Sequence, residues 1–201
     1  MLPPIASILT SAMEHPGRIS LVIFLPYCNF NCLSCHNRDL IEGRFEPLPV
    51  EKLIWELRNN FIVDFIVISG GEPTIHGKGL EELIDLIRKE REDLPIRVDS
   101  NGSSPEVLEG IADAVDGLAI DVKASPFRRE KYEFVIRREF EVEKLIRSVE
   151  IASRLKYTVF RTVKYPWLTE EDLEEIREFL SVYGGGKPHL LNPYLEPPDG
   201  S

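Results

Sequence analysis

Apolar runs of strand length alternate with stretches of helical periodicity along almost the whole chain. Ile19–Leu25 reads ISLVIFL, a β-branched and aromatic run that predicts a buried strand. Pro49–Asn60 follows as a helix with Leu53, Ile54 and Leu57 on one face, then Phe65–Ser69 (FIVIS) as a second strand. Gly79–Arg91 carries Leu80, Leu83, Ile84 and Ile87 at helical spacing, with carboxylates on the other face. A third strand at Ile96–Ser100, a short helix at Pro105–Asp113 and a fourth strand at Gly117–Val122 come next. Phe127–Glu139 is highly charged and reads as a looser stretch, and the overlapping acidic run Glu130–Glu143 reads as a solvated helix, with a docking surface as the alternative. A helix at Val142–Arg154, a strand at Tyr157–Val163, a helix at Glu170–Tyr183 and a short strand at His189–Leu191 complete the pattern.

Strand–helix alternation of this kind predicts an α/β fold with a parallel sheet and helical crossovers. Six units fit in roughly 180 residues, whereas a closed eight-unit barrel usually takes about 250. The expectation is therefore a partial, open (β/α)6 barrel, with a flat doubly wound sheet as the alternative. One domain should span residues 1–201, with 1–18 as an N-terminal extension and 19–195 as the barrel core. In either architecture ligands bind where the strands run out into the following loops.

Charge and composition remove several classes. The net charge of −10 argues against a broad nucleic-acid-binding face, which needs clustered Lys and Arg. No apolar run approaches the ~20 residues of a membrane span. The N-terminus, MLPPIASILTSAMEHPG, lacks the basic segment of a signal peptide, so a cytoplasmic protein is expected. The chain has no Gln and only two Met beside abundant Glu, Arg and Lys. That balance fits a thermophilic source, and equally a chance composition with an acidic surface.

Its three cysteines, Cys28, Cys32 and Cys35, lie within the eight residues CNFNCLSC. An odd number packed this closely does not read as a disulfide framework. Three thiolates on one loop suit a metal or a cluster. Zinc would need a fourth ligand, which His36 could supply, while an iron–sulfur cubane held by three Cys would keep one iron open. Inert or redox-active thiols are the remaining reading.

Polar residues stand at the end of one predicted strand after another. Gly70-Gly71-Glu72-Pro73 follows the second strand and Asp99-Ser100-Asn101-Gly102 the third; Asp121-Val122-Lys123 ends the fourth, and Arg161 lies on the fifth. Singly, each reads as a cap or a turn residue. Repeated on consecutive strand ends, buried charges of both signs point to a site, because an unpaired buried ion costs several kcal/mol.

The C-x3-C-x2-C loop and the GGEP turn resemble those of the radical S-adenosylmethionine (radical SAM) enzymes. Cys35-His36-Asn37-Arg38-Asp39, DSNG at 99–102 and Asp121-Val122-Lys123 look like the glycyl-radical-enzyme activases among them, as in pyruvate formate-lyase activating enzymes. The resemblance implies an oxidoreductase in which Cys28, Cys32 and Cys35 hold a [4Fe–4S] cluster and S-adenosylmethionine chelates its open iron. It implies that Gly70, Gly71, Glu72 and Pro73 meet the methionine ammonium. Asp99, Ser100, Asn101 and Asp121 would surround the methionine carboxylate and a monovalent cation, with Lys123 adding positive charge and Arg161 pairing with a carboxylate or the ribose. Backbone at Ser34, Cys35, His36 and Val122 would line the adenine pocket. One electron from the reduced cluster would then release a 5′-deoxyadenosyl radical that removes a hydrogen atom from the substrate, so no general base is needed.

Two positions depart from the pattern. Ser34 stands where many relatives place an aromatic residue, and Leu195 follows Pro193-Tyr194 where the activases carry a histidine; His189 nearby reads as solvent-exposed. Three cysteines leave none for auxiliary clusters. A lean chain without an added substrate domain fits an enzyme whose substrate is another protein. The resemblance therefore implies a glycyl radical enzyme as partner, in the manner of anaerobic ribonucleotide reductase or formate-lyase activation. A low-potential donor such as ferredoxin or flavodoxin would feed the cluster. The alternatives are a small-molecule synthase of the 7-carboxy-7-deazaguanine (queuosine-pathway) type and a Cys3His zinc-binding interaction module.

Overall fold

A computed structural model describes residues 1–196; residues 197–201 of the expected domain lie outside the described residues. Seven strands form one sheet in the order in which they occur along the chain. Strand β1 (Ser7–Ser11) pairs antiparallel with β2 (Ser20–Leu25). Parallel pairing then runs through β3 (Phe65–Gly70), β4 (Ile96–Ser100), β5 (Gly117–Asp121), β6 (Val159–Lys164) and β7 (His189–Pro193). A doubly wound sheet reverses its strand order in the middle. This one never does, so the curved sheet is an unclosed barrel with β1 and β7 at its two edges.

Helices α1 (Arg38–Ile41), α2 (Val50–Asn59), α3 (Lys78–Glu90), α4 (Pro105–Ile111), α5 (Arg129–Ile136), α6 (Val142–Ser153) and α7 (Glu170–Tyr183) connect the parallel strands. Alternation along each strand sorts the side chains. Leu21, Ile23, Ile66, Ile68, Ile96, Val98, Leu118, Ile120 and Phe160 face outward into the main core with the apolar stripes of the helices. On the inward face Val22, Phe65 and Val67 form a separate small cluster on β2 and β3. The inward positions of β4, β5 and β6 instead carry Arg97, Asp99, Asp121 and Arg161. The interior is thus apolar on one side and charged on the other.

Residues 12–18 cover the N-terminal end of the barrel. Arg97, 2% exposed, donates to the Glu14 carbonyl at 2.7 Å. The His15 ring packs against Phe65 with centroids 4.9 Å apart, and Arg18 lies over Phe65 and Tyr157. No helix among the described residues is long and apolar enough to cross a membrane.

Three expectations need correction. Residues 1–18, expected as an extension, contribute β1 to the sheet; that strand has no fully buried residue, so no apolar run announces it. The stretch 127–139, expected to be loose, contains α5, whose narrow stripe of Tyr132, Val135 and Ile136 is buried beneath exposed Arg129 and Glu130. His189 is half-buried rather than exposed, its Nε2 lying 3.0 Å from Thr162 Oγ1 at the start of β7, away from the strand ends that carry the polar motifs.

Candidate active site

The loop after β2 brings Cys28, Cys32 and Cys35 to one cavity of about 210 Å³ at the C-terminal ends of the strands. All three thiols are free and partly exposed. Arg38 holds the loop from behind, donating to the Cys32 carbonyl at 2.8 Å and to Asn31 Oδ1. Backbone amides of Asn31 and Leu33 donate to the carbonyls of Ile136 and Val135 at the end of α5. Burial pushes the Cys28 thiol up to about 12, with the Glu72 carboxylate adding to the effect. Burial raises Cys32 as well, against the pull of the Lys123 ammonium beside it.

The GGEP turn packs directly on the segment that leads into this loop. A Cβ on Gly71 would lie 1.8 Å from the Tyr27 carbonyl oxygen, and one on Gly70, at φ +118°, 2.3 Å from that of Leu25. Only glycine fits, and the reason is the neighbouring chain. The amides of Gly71 and Glu72 donate to the Leu25 and Tyr27 carbonyls at 2.8 Å each. His76 adds a third tie, Nε2 to the Pro26 carbonyl at 3.0 Å, which requires that nitrogen to carry the proton.

Glu72 is 1% exposed and accepts four hydrogen bonds: from Thr74 N and Oγ1, from Ser100 Oγ, and from the Asn101 amide at 2.6 Å. Burial raises its carboxyl, and these donors offset that effect. Its side chain therefore joins the end of β3 to the end of β4. Asn37 likewise donates Nδ2 to the Gly70 carbonyl at 2.6 Å, joining the cysteine loop to the turn.

Charges on β4, β5 and β6 form one lattice. Asp99 accepts from Arg97 Nε at 2.9 Å on one oxygen and from an Arg161 terminal nitrogen at 2.8 Å on the other. Asp121, directly opposite Arg161 in the strand register, accepts from Arg161 Nε at 2.9 Å and from Lys123 Nζ at 3.1 Å. Burial alone would raise the Asp121 carboxyl, but Arg161 and Lys123 outweigh it and hold the group at about 2. The same carboxylates keep the Arg161 guanidinium charged despite its burial.

Ser34, His36, Gly70, Gly71, Glu72, Asp99, Ser100, Asn101, Asp121, Lys123 and Arg161 all border the cavity that the three cysteines line. Val122 lines a smaller adjoining cavity of about 150 Å³. Pro73 borders neither; it opens the short 3-10 helix Pro73–His76 and is buried. Residues given no site role from the sequence also meet here. Asn37, Val163 and Tyr165 line the cavity, Tyr165 stacks on Trp167 at 4.8 Å and 7°, and Tyr194 Oη lies 3.3 Å from Ser34 Oγ. Aromatic residues just past the ends of β6 and β7 were the available signal.

Three free thiols from one loop around one cavity are a donor set that fits a cubane cluster. Among the described residues, no three His, Cys, Asp or Glu side chains gather as a single-ion site. Between Asp99 and Asp121, where a monovalent cation was expected, each of the four carboxylate oxygens accepts from Arg or Lys.

The Radical SAM superfamily model matches residues 22–180. A protein of Methanocaldococcus jannaschii, named as a candidate glycyl-radical enzyme activating enzyme, is 36% identical over 177 residues, covering 83% of this chain and 70% of that one. A Haemophilus influenzae protein named in the same way is 34% identical over 118 residues, covering 56% of this chain and 44% of its own length. Among solved structures, native anSMEcpe with bound AdoMet superposes with a TM-score of 0.65 at 16% identity, covering 85% of this chain and 49% of that one. The chain thus spans less than half of two of these three proteins.

Proposed function

Because this chain belongs to the radical SAM superfamily, we propose that it holds a [4Fe–4S] cluster on Cys28, Cys32 and Cys35, cleaves S-adenosylmethionine reductively, and installs a glycyl radical on a partner enzyme. The observation that carries this reading is the single cavity bordered by three free thiols, the GGEP turn and the charged lattice of β4–β6. When bound, the reduced cluster supplies the electron and S-adenosylmethionine the 5′-deoxyadenosyl radical.

The protein's part is binding, orientation and exclusion of water. Lys123 Nζ spends one hydrogen bond on Asp121, and one terminal nitrogen of Arg161 has no partner among the described residues, so both donors serve the methionine carboxylate. The Gly71 and Ser69 backbone borders the cavity on the side where the ammonium would lie. Gly70 O accepts from Asn37, and Glu72 accepts four hydrogen bonds within the protein, three of them on Oε1, so Glu72 fixes the turn at the cavity wall. Tyr165, backed by Trp167, gives the adenine a flat wall where Ser34 offers none.

The partner reading rests on the two relatives named as activating enzymes. A ferredoxin or flavodoxin is the proposed reductant. Anaerobic reconstitution with iron and sulfide, followed by dithionite and S-adenosylmethionine, tests the chemistry. We expect 5′-deoxyadenosine from the wild type and none from Cys32→Ala. Stoichiometric zinc without iron uptake would sink the reading and leave a binding module.

A further inference from the structure

Side chains of β4, β5 and β6 bear on what balances charge in this site. A cation bound between two carboxylates needs oxygen lone pairs to enter its coordination shell. Here Asp99 Oδ1 accepts from Arg97 Nε at 2.9 Å, and Asp99 Oδ2 from Arg161 Nη1 at 2.8 Å. Asp121 Oδ1 accepts from Arg161 Nε at 2.9 Å, and Asp121 Oδ2 from Lys123 Nζ at 3.1 Å. The guanidinium of Arg161 therefore bridges the two carboxylates, one nitrogen to each.

This bridge is built into the sheet. Asp121 and Arg161 are partners in register on adjacent strands, and Asp99 lies on the next strand over. Asp99 is 5% exposed and Arg97 2%, so this end of the lattice is shielded from competing water and salt, while Asp121 at the other end is 32% exposed toward the cavity. Arg97 is itself anchored to the Glu14 carbonyl at 2.7 Å and lies 3.7 Å from the Glu14 carboxylate, which is 27% exposed. A metal ion entering between Asp99 and Asp121 would have to displace a guanidinium that makes a charge-assisted hydrogen bond to each.

We propose that Arg161 takes the place of a monovalent cation in this site, so that S-adenosylmethionine binding is independent of sodium and potassium. Its other terminal nitrogen, without a partner among the described residues, offers the methionine carboxylate the contact that such an ion would have given. This inference rests on the reading of the cavity as an S-adenosylmethionine site.

The test is equilibrium binding of S-adenosylmethionine to anaerobically reconstituted, unreduced wild-type protein in sodium, potassium or choline chloride at equal ionic strength. The expected dissociation constants agree within about twofold, since choline is too large to replace a bound metal ion. Affinity that falls fivefold or more in choline overturns the proposal while leaving the S-adenosylmethionine site intact. No binding in any of the three salts overturns both the proposal and the reading beneath it. Arg161→Gln supplies the converse. It should bind about tenfold more weakly in choline, with sodium or potassium restoring part of the loss. An Arg161→Gln protein that binds in choline as the wild type does overturns the assignment of Arg161.

Discussion

Asn37 donates its side-chain amide to the carbonyl of Gly70 across 2.6 Å, linking the third cysteine's neighbour but one to the glycine turn after β3. With the backbone bonds from Gly71 and Glu72 to Leu25 and Tyr27, this makes the cysteine loop and the turn one unit. The polar residues of CHNRD therefore shape the loop: Asn37 ties it to the turn, and Arg38 ties it to itself.

Asn37→Ala should lose the energy of one part-buried hydrogen bond, about 1 kcal/mol, because the Gly70 carbonyl is left without this donor. Thermal unfolding of the variant should occur a few degrees lower, and its reconstituted iron should be lost faster to a chelator. Unchanged melting and iron retention would remove Asn37 from this role.

Two glycine substitutions should have opposite effects. Gly71→Ala places a methyl 1.8 Å from the Tyr27 carbonyl oxygen, which is backbone and cannot swing aside. The expected result is displacement of the cysteine loop and a loss of several kcal/mol, read as insoluble protein or a collapsed denaturation midpoint. Gly110→Ala, at an exposed position of helix α4 with only Glu81 Oε1 at 3.7 Å, should stabilise by about 0.5–1 kcal/mol.

The Asp121 carboxyl is held at about 2 in the folded protein, below its ordinary value of 3.8. A group whose folded pKa is depressed adds stability that is complete above the unfolded value and disappears as pH falls through the folded one. Wild-type protein should therefore lose this contribution between about pH 4 and pH 2. Asp121→Asn should be less stable at neutral pH and fall less steeply across that window. Urea midpoints for both proteins from pH 5 to pH 2 decide the matter, and parallel curves would contradict it.

Thr169 and Asp172 cap α7 reciprocally: each side chain accepts from the other's backbone amide. Thr169→Ala should reduce stability by about 1 kcal/mol. S-adenosylmethionine affinity should stay unchanged, because the cap borders neither cavity. Calorimetry and a binding isotherm on the same sample would separate the two effects.

The sequence made the chemistry legible because residue types that are costly to bury stood at the ends of apolar strands. The three cysteines, Gly70-Gly71-Glu72, Asp99-Ser100-Asn101, Asp121 and Lys123 all reach the same cavity. Arg97 could not be read this way. Inside IRVDS it is one more residue on a strand, and its meaning comes from Glu14, 83 positions earlier in the chain. The GGEP motif names Glu72 but not its partners, Ser100 at the end of the next strand and Asn101 just past it, which only the fold brings to its carboxylate. Strand β1 and helix α5 were missed because one is half-exposed throughout and the other hides three buried residues among charged ones.

Glu72 makes the site face hard to alter piecemeal. Its carboxylate is bound at once by the turn that contains it and by the loop beyond β4, so changing any partner releases the others. Paired substitutions at Glu72, Ser100 and Thr74 should be strongly non-additive, the first change doing most of the harm. Exposed residues such as Arg138 and Glu139, which line the neighbouring cavity, are bound by no such constraint, so substitutions there should act independently of one another.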